Sequence, residues 1–392
     1  MAKEKKKVPN LRFKGFTNDW EQRKFKNNIL RINRHGKGSN LPHIEFENIN
    51  SGMGTLNGKI SELKSDKVGI LFEKNDILFG KLRPYLRNWF LATFDGVAIG
   101  DFWVLRPSVP SNFIYFLIQT DRFYAVSNLS SGSKMPRSDW SLVSNYKFNV
   151  PTQKQEMINI GKLLSKLDSL LSLQQRKLDL LKQLKKGLLQ KMFADKDAKQ
   201  PVLRFDGFSG DWEQRKGSEL FKSKSDKGYS YLPVLSATQD QGMILREKTG
   251  IDIKYKKDSL DNYKRIEPGD FIIHLRSFQG GFAYSSIEGI ASPAYTIFSF
   301  KEPDEYNDNF WKEKFSSHNF IQLLKKVTYG VRDGRSISYG DFLTLKEQFP
   351  NLQEQTKIGK LFTILDKTIP LQQSRLTKLT LLKRFLLQQM FI

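Results

Sequence analysis

Four short stretches of this sequence carry the residue types that grip a polyanion. Gly80-Lys81-Leu82-Arg83-Pro84-Tyr85-Leu86-Arg87-Asn88 and Ser131-Gly132-Ser133-Lys134-Met135-Pro136-Arg137-Ser138 lie in the first half. His274-Leu275-Arg276-Ser277-Phe278-Gln279-Gly280-Gly281 and Tyr329-Gly330-Val331-Arg332-Asp333-Gly334-Arg335-Ser336 lie in the second. Arginine and lysine donate to phosphate or to guanine O6/N7, and asparagine and glutamine suit adenine. Glycines let a loop backbone approach a phosphate closely. Lys81, Arg83, Arg87, Lys134, Arg137, Arg276, Gln279, Arg332 and Arg335 are therefore the candidate nucleic-acid contacts. A lone basic residue is more often a solvated surface charge, so the weight rests on the clusters. The whole chain agrees with them: a net charge of +23 over 392 residues favours nucleic acid or an anionic membrane surface as partner.

Reaction chemistry is harder to find. Gly36-Lys37-Gly38-Ser39 lacks the upstream glycine spacing of a nucleotide-binding P-loop. His35, His43, His274 and His318 are scattered without metal-ligand spacing. Pro303-Asp304 is followed by no Asp/Glu-x-Lys, and no Asn/Asp-Pro-Pro-aromatic motif is present, so neither a nuclease nor an amino-methyltransferase centre is legible. With no cysteine there is no disulfide or thiolate metal site. No run of about 20 apolar residues is present, and Val8-Pro9-Asn10 gives no apolar core to the basic first residues. The expectation is a non-catalytic, metal-free, cytoplasmic protein that does not engage membranes.

The elements that hold the four clusters come in two copies. Leu11 to Lys24 reads LRFKGFTNDWEQRK and Leu203 to Lys216 reads LRFDGFSGDWEQRK, identical at 11 of 14 positions at an offset of 192. Gln155 to Phe193 matches Gln353 to Phe391 without a gap, identical at 20 of 39 positions at an offset of 198. Between these pairs the halves diverge but keep a skeleton. Turn signals at Lys74-Asn75-Asp76 and Pro268-Gly269-Asp270 precede the apolar runs Ile77-Leu78-Phe79 and Phe271-Ile272-Ile273. Gly96 to Ile99 and Gly289 to Ala291 precede the aromatic strands Phe102-Trp103-Val104 and Tyr295 to Phe298. With helices predicted over Phe113 to Tyr124 and Phe310 to Val327, the fold class is α+β, as two tandem domains. Trp20 and Trp212, inside the repeated opening motif, are predicted to pack rather than to stack on bases.

The repeated leucine-rich segments predict long helices. Apolar positions advance by fours and threes, averaging the 3.5-residue period of a coiled coil. The seam runs through Leu164, Leu167, Leu171, Gln174, Leu178 and Leu181, and through Phe362, Leu365, Ile369, Gln372, Leu376 and Leu379. Gln174 and Gln372, like Lys185 and Lys383, interrupt both seams at the same places, as expected if the two helices pair with each other. Twofold-related units would pair antiparallel, giving an intramolecular coiled coil with a pseudo-twofold repeat. The helix from Met157 to Phe193 would be about 55 Å long, against about 34–36 Å for one turn of DNA. Pro370, where the first segment has Ser172, predicts a bend or break.

The duplicated unit, the LRFxGFxxDWEQRK opening, the strand ending in Leu82-Arg83 or Leu275-Arg276, and the QExxxIG…LD…QQ…LLQ…MF helices resemble specificity subunits of Type I restriction–modification enzymes. The resemblance spans essentially the whole chain. It implies target recognition domains at 1–150 and 197–349, each reading half of a bipartite double-stranded DNA sequence, with conserved helices at 151–196 and 350–392 as spacer. It also implies two modification subunits that methylate adenine N6 with S-adenosylmethionine, and restriction subunits that use ATP and Mg. This chain itself would hold no cofactor. The alternatives are a stand-alone nuclease or methyltransferase of another class, or a coiled-coil structural or membrane-surface protein.

Overall fold

A computed structural model describes residues 8–38, 40–129, 135–195, 198–238, 241–250, 257–274, 281–324, 327–329 and 336–392. The chain is mixed α/β and forms two compact units, Met1–Gln175 with Ser374–Ile392, and Arg176–Gln373. Two long helices, Lys154–Lys191 and Leu352–Met390, each contribute to both units.

In the first unit an antiparallel sheet runs in the order Ile29–Ile32, Phe102–Pro107, Ile77–Gly80, Trp89–Leu91. Alternate residues of a strand face opposite ways, and both faces here are apolar. Ile77, Phe79, Trp103 and Leu105 join a core with Phe25, Phe113, Phe116, Phe123 and Phe148. Leu78, Phe102 and Val104 join a smaller core with Ile44, Phe72 and Phe90 on the other side. The second unit repeats this with strands Phe221–Lys224, Thr296–Phe300, Phe271–Ile273 and Phe282–Tyr284. Phe271, Ile273, Phe298 and Phe300 face the larger core, and Ile272 and Ile297 the smaller. The turns before the central strands also match. Asn75 (φ 74°) and Gly269 (φ 99°) take the same left-handed position, and Asp76 and Asp270 each accept the backbone N–H three residues back, both at 2.8 Å.

The opening motif and the long helices are repeated because they bind each other. Arg12 donates to both carboxylate oxygens of Glu156 at 2.7 and 2.9 Å, and the indole N–H of Trp20 reaches the same carboxylate at 3.2 Å. In the second unit Arg204 grips Glu354 at 2.8 and 2.7 Å. Trp20 and Trp212 are both buried. The start of each long helix then abuts a domain helix at a glycine. A Cβ on Gly161 would lie 2.8 Å from the Asn112 Cβ, and one on Gly359 3.0 Å from the Phe310 nitrogen. In the first unit Met157, Ile160 and Leu164 share a core with Met390 and Phe391; in the second, Ile358, Phe362 and Leu365 share one with Met192 and Phe193. Leu167 and Leu178 are buried too, as is Gln372, while Leu171, Gln174, Leu181, Ile369, Leu376 and Leu379 are half-buried.

Two expectations need correction. The domain helices are pairs rather than single rods: Ser111–Leu117 is followed by Asp121–Ser127, and Asp308–Ser316 by His318–Leu324. Thr120 Oγ1 accepts from the Phe123 N–H and Ser317 Oγ from the Phe320 N–H, so each second helix starts at a hydroxyl cap inside a continuous apolar pattern. Pro370 does not end the second long helix, which continues from Leu352 to Met390. An interior proline costs about 3 kcal/mol. Apolar burial of Phe362 and Leu365 before it and of Met390 at the far end keeps the helix in one piece.

Candidate nucleic-acid interface

The first basic loop leaves strand Ile77–Gly80 and is pinned to the second one. The Arg83 N–H donates to the Pro136 carbonyl at 2.8 Å, and the Ser138 N–H to the Lys81 carbonyl at 2.8 Å. Leu82 and Arg137 are bridged as in an antiparallel pair. Thus Arg137, distant in sequence, is brought onto the surface of Lys81 and Arg83, while Arg87 at the end of the same loop lines a groove with Asp121 and Arg384. Lys134 lies outside the described residues, as do Arg276, Gln279, Arg332 and Arg335 of the second half.

The backbone here is strained. Arg83 (φ 48°) and Arg87 (φ 57°) both take left-handed conformations, flanking a single 3-10 turn over Pro84–Leu86. Such a conformation costs an L-residue with a Cβ roughly 1–2 kcal/mol, and strain of this kind gathers at functional sites. Tyr85, Leu86 and Met135 project beside them, all more than 40% exposed. The arginine and lysine side chains have different surroundings. Lys81 and Arg137 share the carboxylate of Asp101, at 3.5 and 2.9 Å. Two cations on one carboxylate leave a net positive charge, held in place. The Arg87 guanidinium lies 4.7 Å from the Tyr124 ring centroid, while Arg83 is exposed. Exposed, prepositioned cations beside exposed apolar groups suit a phosphate backbone and the base edges within it.

One residue of this surface gave no signal in the sequence. Arg31, on strand Ile29–Ile32, lies over the Trp140 ring at 5.1 Å. It sits in no glycine-rich or basic loop, and only the folded domain brings it to line one crevice with Lys81. Among the described residues no cluster of His, Cys, Asp or Glu is arranged to hold a metal ion, and no helix is long and apolar enough to cross a membrane.

No family model matches the chain. It is similar to the Type I restriction enzyme MjaVIII specificity subunit of Methanocaldococcus jannaschii, 22% identical over 371 residues, covering 85% of this chain and 80% of that protein. Its fold is shared with the S subunit of a Type I restriction–modification system from M. genitalium, at a TM-score of 0.62 and 16% identity over 98% of this chain and 99% of that one. A chain from a study of complex assembly and conformational transition of the type I R-M system aligns at a TM-score of 0.50 and 16% identity, over 94% and 96%. The resemblance read from the repeated motifs is borne out.

Proposed function

We propose that this chain is the DNA-recognition subunit of a Type I restriction–modification enzyme, itself non-catalytic and active in the cytoplasm. One observation carries the reading. Both halves lock the same opening motif to the start of their own long helix through Arg12–Glu156 and Arg204–Glu354, while the surfaces between those locks diverge. A constant frame with two different reading surfaces is what a bipartite target requires. The target recognition domains are residues 1–150 and 197–349, and helices 151–196 and 350–392 form an antiparallel intramolecular pair that spaces the half-sites. Support comes from within each unit, where the start of one long helix shares a core with the end of the other. The loop surface around Lys81, Arg83, Arg87 and Arg137 meets the DNA. Two modification subunits supply S-adenosylmethionine chemistry, and restriction subunits supply the ATP- and Mg-dependent steps. The experiment is to co-express the full chain with its methyltransferase subunits and map the methylated sequence. Exchanging residues 26–150 for those of a relative should change one half of a bipartite motif and leave the other intact. Change in both halves, or methyl transfer or cleavage by the purified chain alone, would overturn the proposal.

A further inference from the structure

Beside the loop surface lies a crevice of about 200 Å³ lined by Arg31, Asn33, His35, Lys81, Gly69 and Gly100. Lys81 also lines it, so the crevice adjoins the surface already described. Its arginine differs from the others nearby. Arg106 is spent on Asp76, at 2.8 Å, and Arg137 on Asp101, at 2.9 Å. Arg31 meets no carboxylate among the described residues, yet it is fixed. Its guanidinium lies over the Trp140 ring, itself held edge-on by Trp103 at 5.1 Å, and its Nε donates to Asn33 Oδ1 at 3.2 Å.

A guanidinium held over a ring and through Nε leaves its two terminal nitrogens to act as a fork, the geometry that meets guanine O6 and N7 together. A phosphate accepts the same fork, so reading a base is distinguished from gripping the backbone by whether discrimination or overall affinity falls when Arg31 is replaced. Resting on the DNA-recognition reading above, we propose that Arg31 reads a guanine of the half-site bound by the first domain, with Asn33 and Trp140 as its positioning residues. The second domain lacks this reader. Arg31 lies opposite Leu105, which is opposite Ile77; the matching register in the second unit, Phe298 opposite Phe271, places Ser223 at the equivalent position. The two domains would therefore differ at this base.

The test uses the full chain assembled with its methyltransferase subunits, and genome-wide mapping of the methylated motif. With Arg31→Ala, one guanine of a single half-site should become degenerate, its discrimination falling on the order of 10- to 100-fold. The other half-site and the spacer should not change. Arg31→Lys keeps the charge but not the fork, and should lose the same discrimination while retaining DNA affinity and its salt dependence. If Arg31→Ala fails to assemble, Arg31→Lys decides the matter alone. An unchanged motif would overturn the assignment, as would an equal loss on all sequences with a shallower salt slope, the mark of a phosphate contact. Failure of the parent reading is separately visible, because the unsubstituted complex would then show no bipartite motif.

Discussion

The same joint between domain and long helices is built from different chemistry in the two units. Gly161 abuts Asn112 and Phe113 where Gly359 abuts Asn309 and Phe310, so Tyr115 and Phe116 occupy the places of Lys312 and Glu313. In the first unit Asp168 pairs with Lys383 at 2.7 Å, and Lys383 lies 5.5 Å from the Phe116 ring centroid. In the second, Asp366 pairs with Lys185 at 2.5 Å, and Lys312 bonds to it as well, while Lys185 lies 3.1 Å from the buried Glu313. The two aspartates titrate in opposite directions. Burial raises Asp168 above its ordinary value despite Lys383, whereas around Asp366 burial is outweighed by the two lysines, which hold it below. The lysine and aspartate of the helices are constant. What the domain brings to them is free to vary, provided the charge balances.

The largest effect should come from the feature common to both joints. Glu156→Ala or Glu354→Ala leaves a partly buried guanidinium without its carboxylate, a loss of about 3–5 kcal/mol. Glu156→Ala should be the worse, because the Trp20 indole loses its acceptor too. Hydrogen exchange resolved by unit would show which half opens; equal and small effects would demote the pair to a surface contact.

The next is a test of interchangeability. Glu313→Ala strands Lys185 and Lys312 around Asp366 and should destabilise the second unit by about 2–3 kcal/mol. Lys312→Tyr with Glu313→Phe rebuilds the chemistry of the first unit and should cost less than the single change. A double variant worse than Glu313→Ala would show that the joints are not equivalent.

The smallest effect is confined to the second unit and to pH. Burial, then the charge of Asp270, pushes Asp308 up to about 6 from 3.8. A raised folded value means its contribution is complete below pH 3.8 and is lost as pH rises through about 6. Asp308→Asn should therefore stabilise the unit by about 1 kcal/mol at pH 7.5, discounted for its partial exposure, and by nothing at pH 4. Thermal denaturation at the two pH values measures this; a benefit that persists at pH 4 would need another cause.

Much of this was legible in the residues. Strands Ile77–Gly80 and Phe271–Ile273, the buried Trp20 and Trp212, and the phase of the long helices followed from turn chemistry and apolar period, which are local properties. Thr120 and Ser317 were passed over because a cap hydroxyl inside an unbroken apolar pattern leaves no periodic trace. Pro370 misled for the converse reason, since a local penalty was outweighed by packing on both sides of it. Arg31 gave no local signal because its meaning depends on a crevice that it lines with Lys81 and on Trp140, more than a hundred residues away.

The short ladders at the base of each domain have a mechanical consequence. Glu21 lies opposite Val150 and Lys24 opposite Lys147; Glu213 lies opposite Phe349 and Lys216 opposite Lys346. The chain thus leaves each domain beside the point where it came in, and four rungs form a neck. Everything beyond the neck is a cassette. Lengthening such a loop is cheap, about 0.6 kcal/mol for each doubling. A cassette of different size or content can hang from the same four rungs, provided its helix still meets the long helices as Asn112 and Asn309 do.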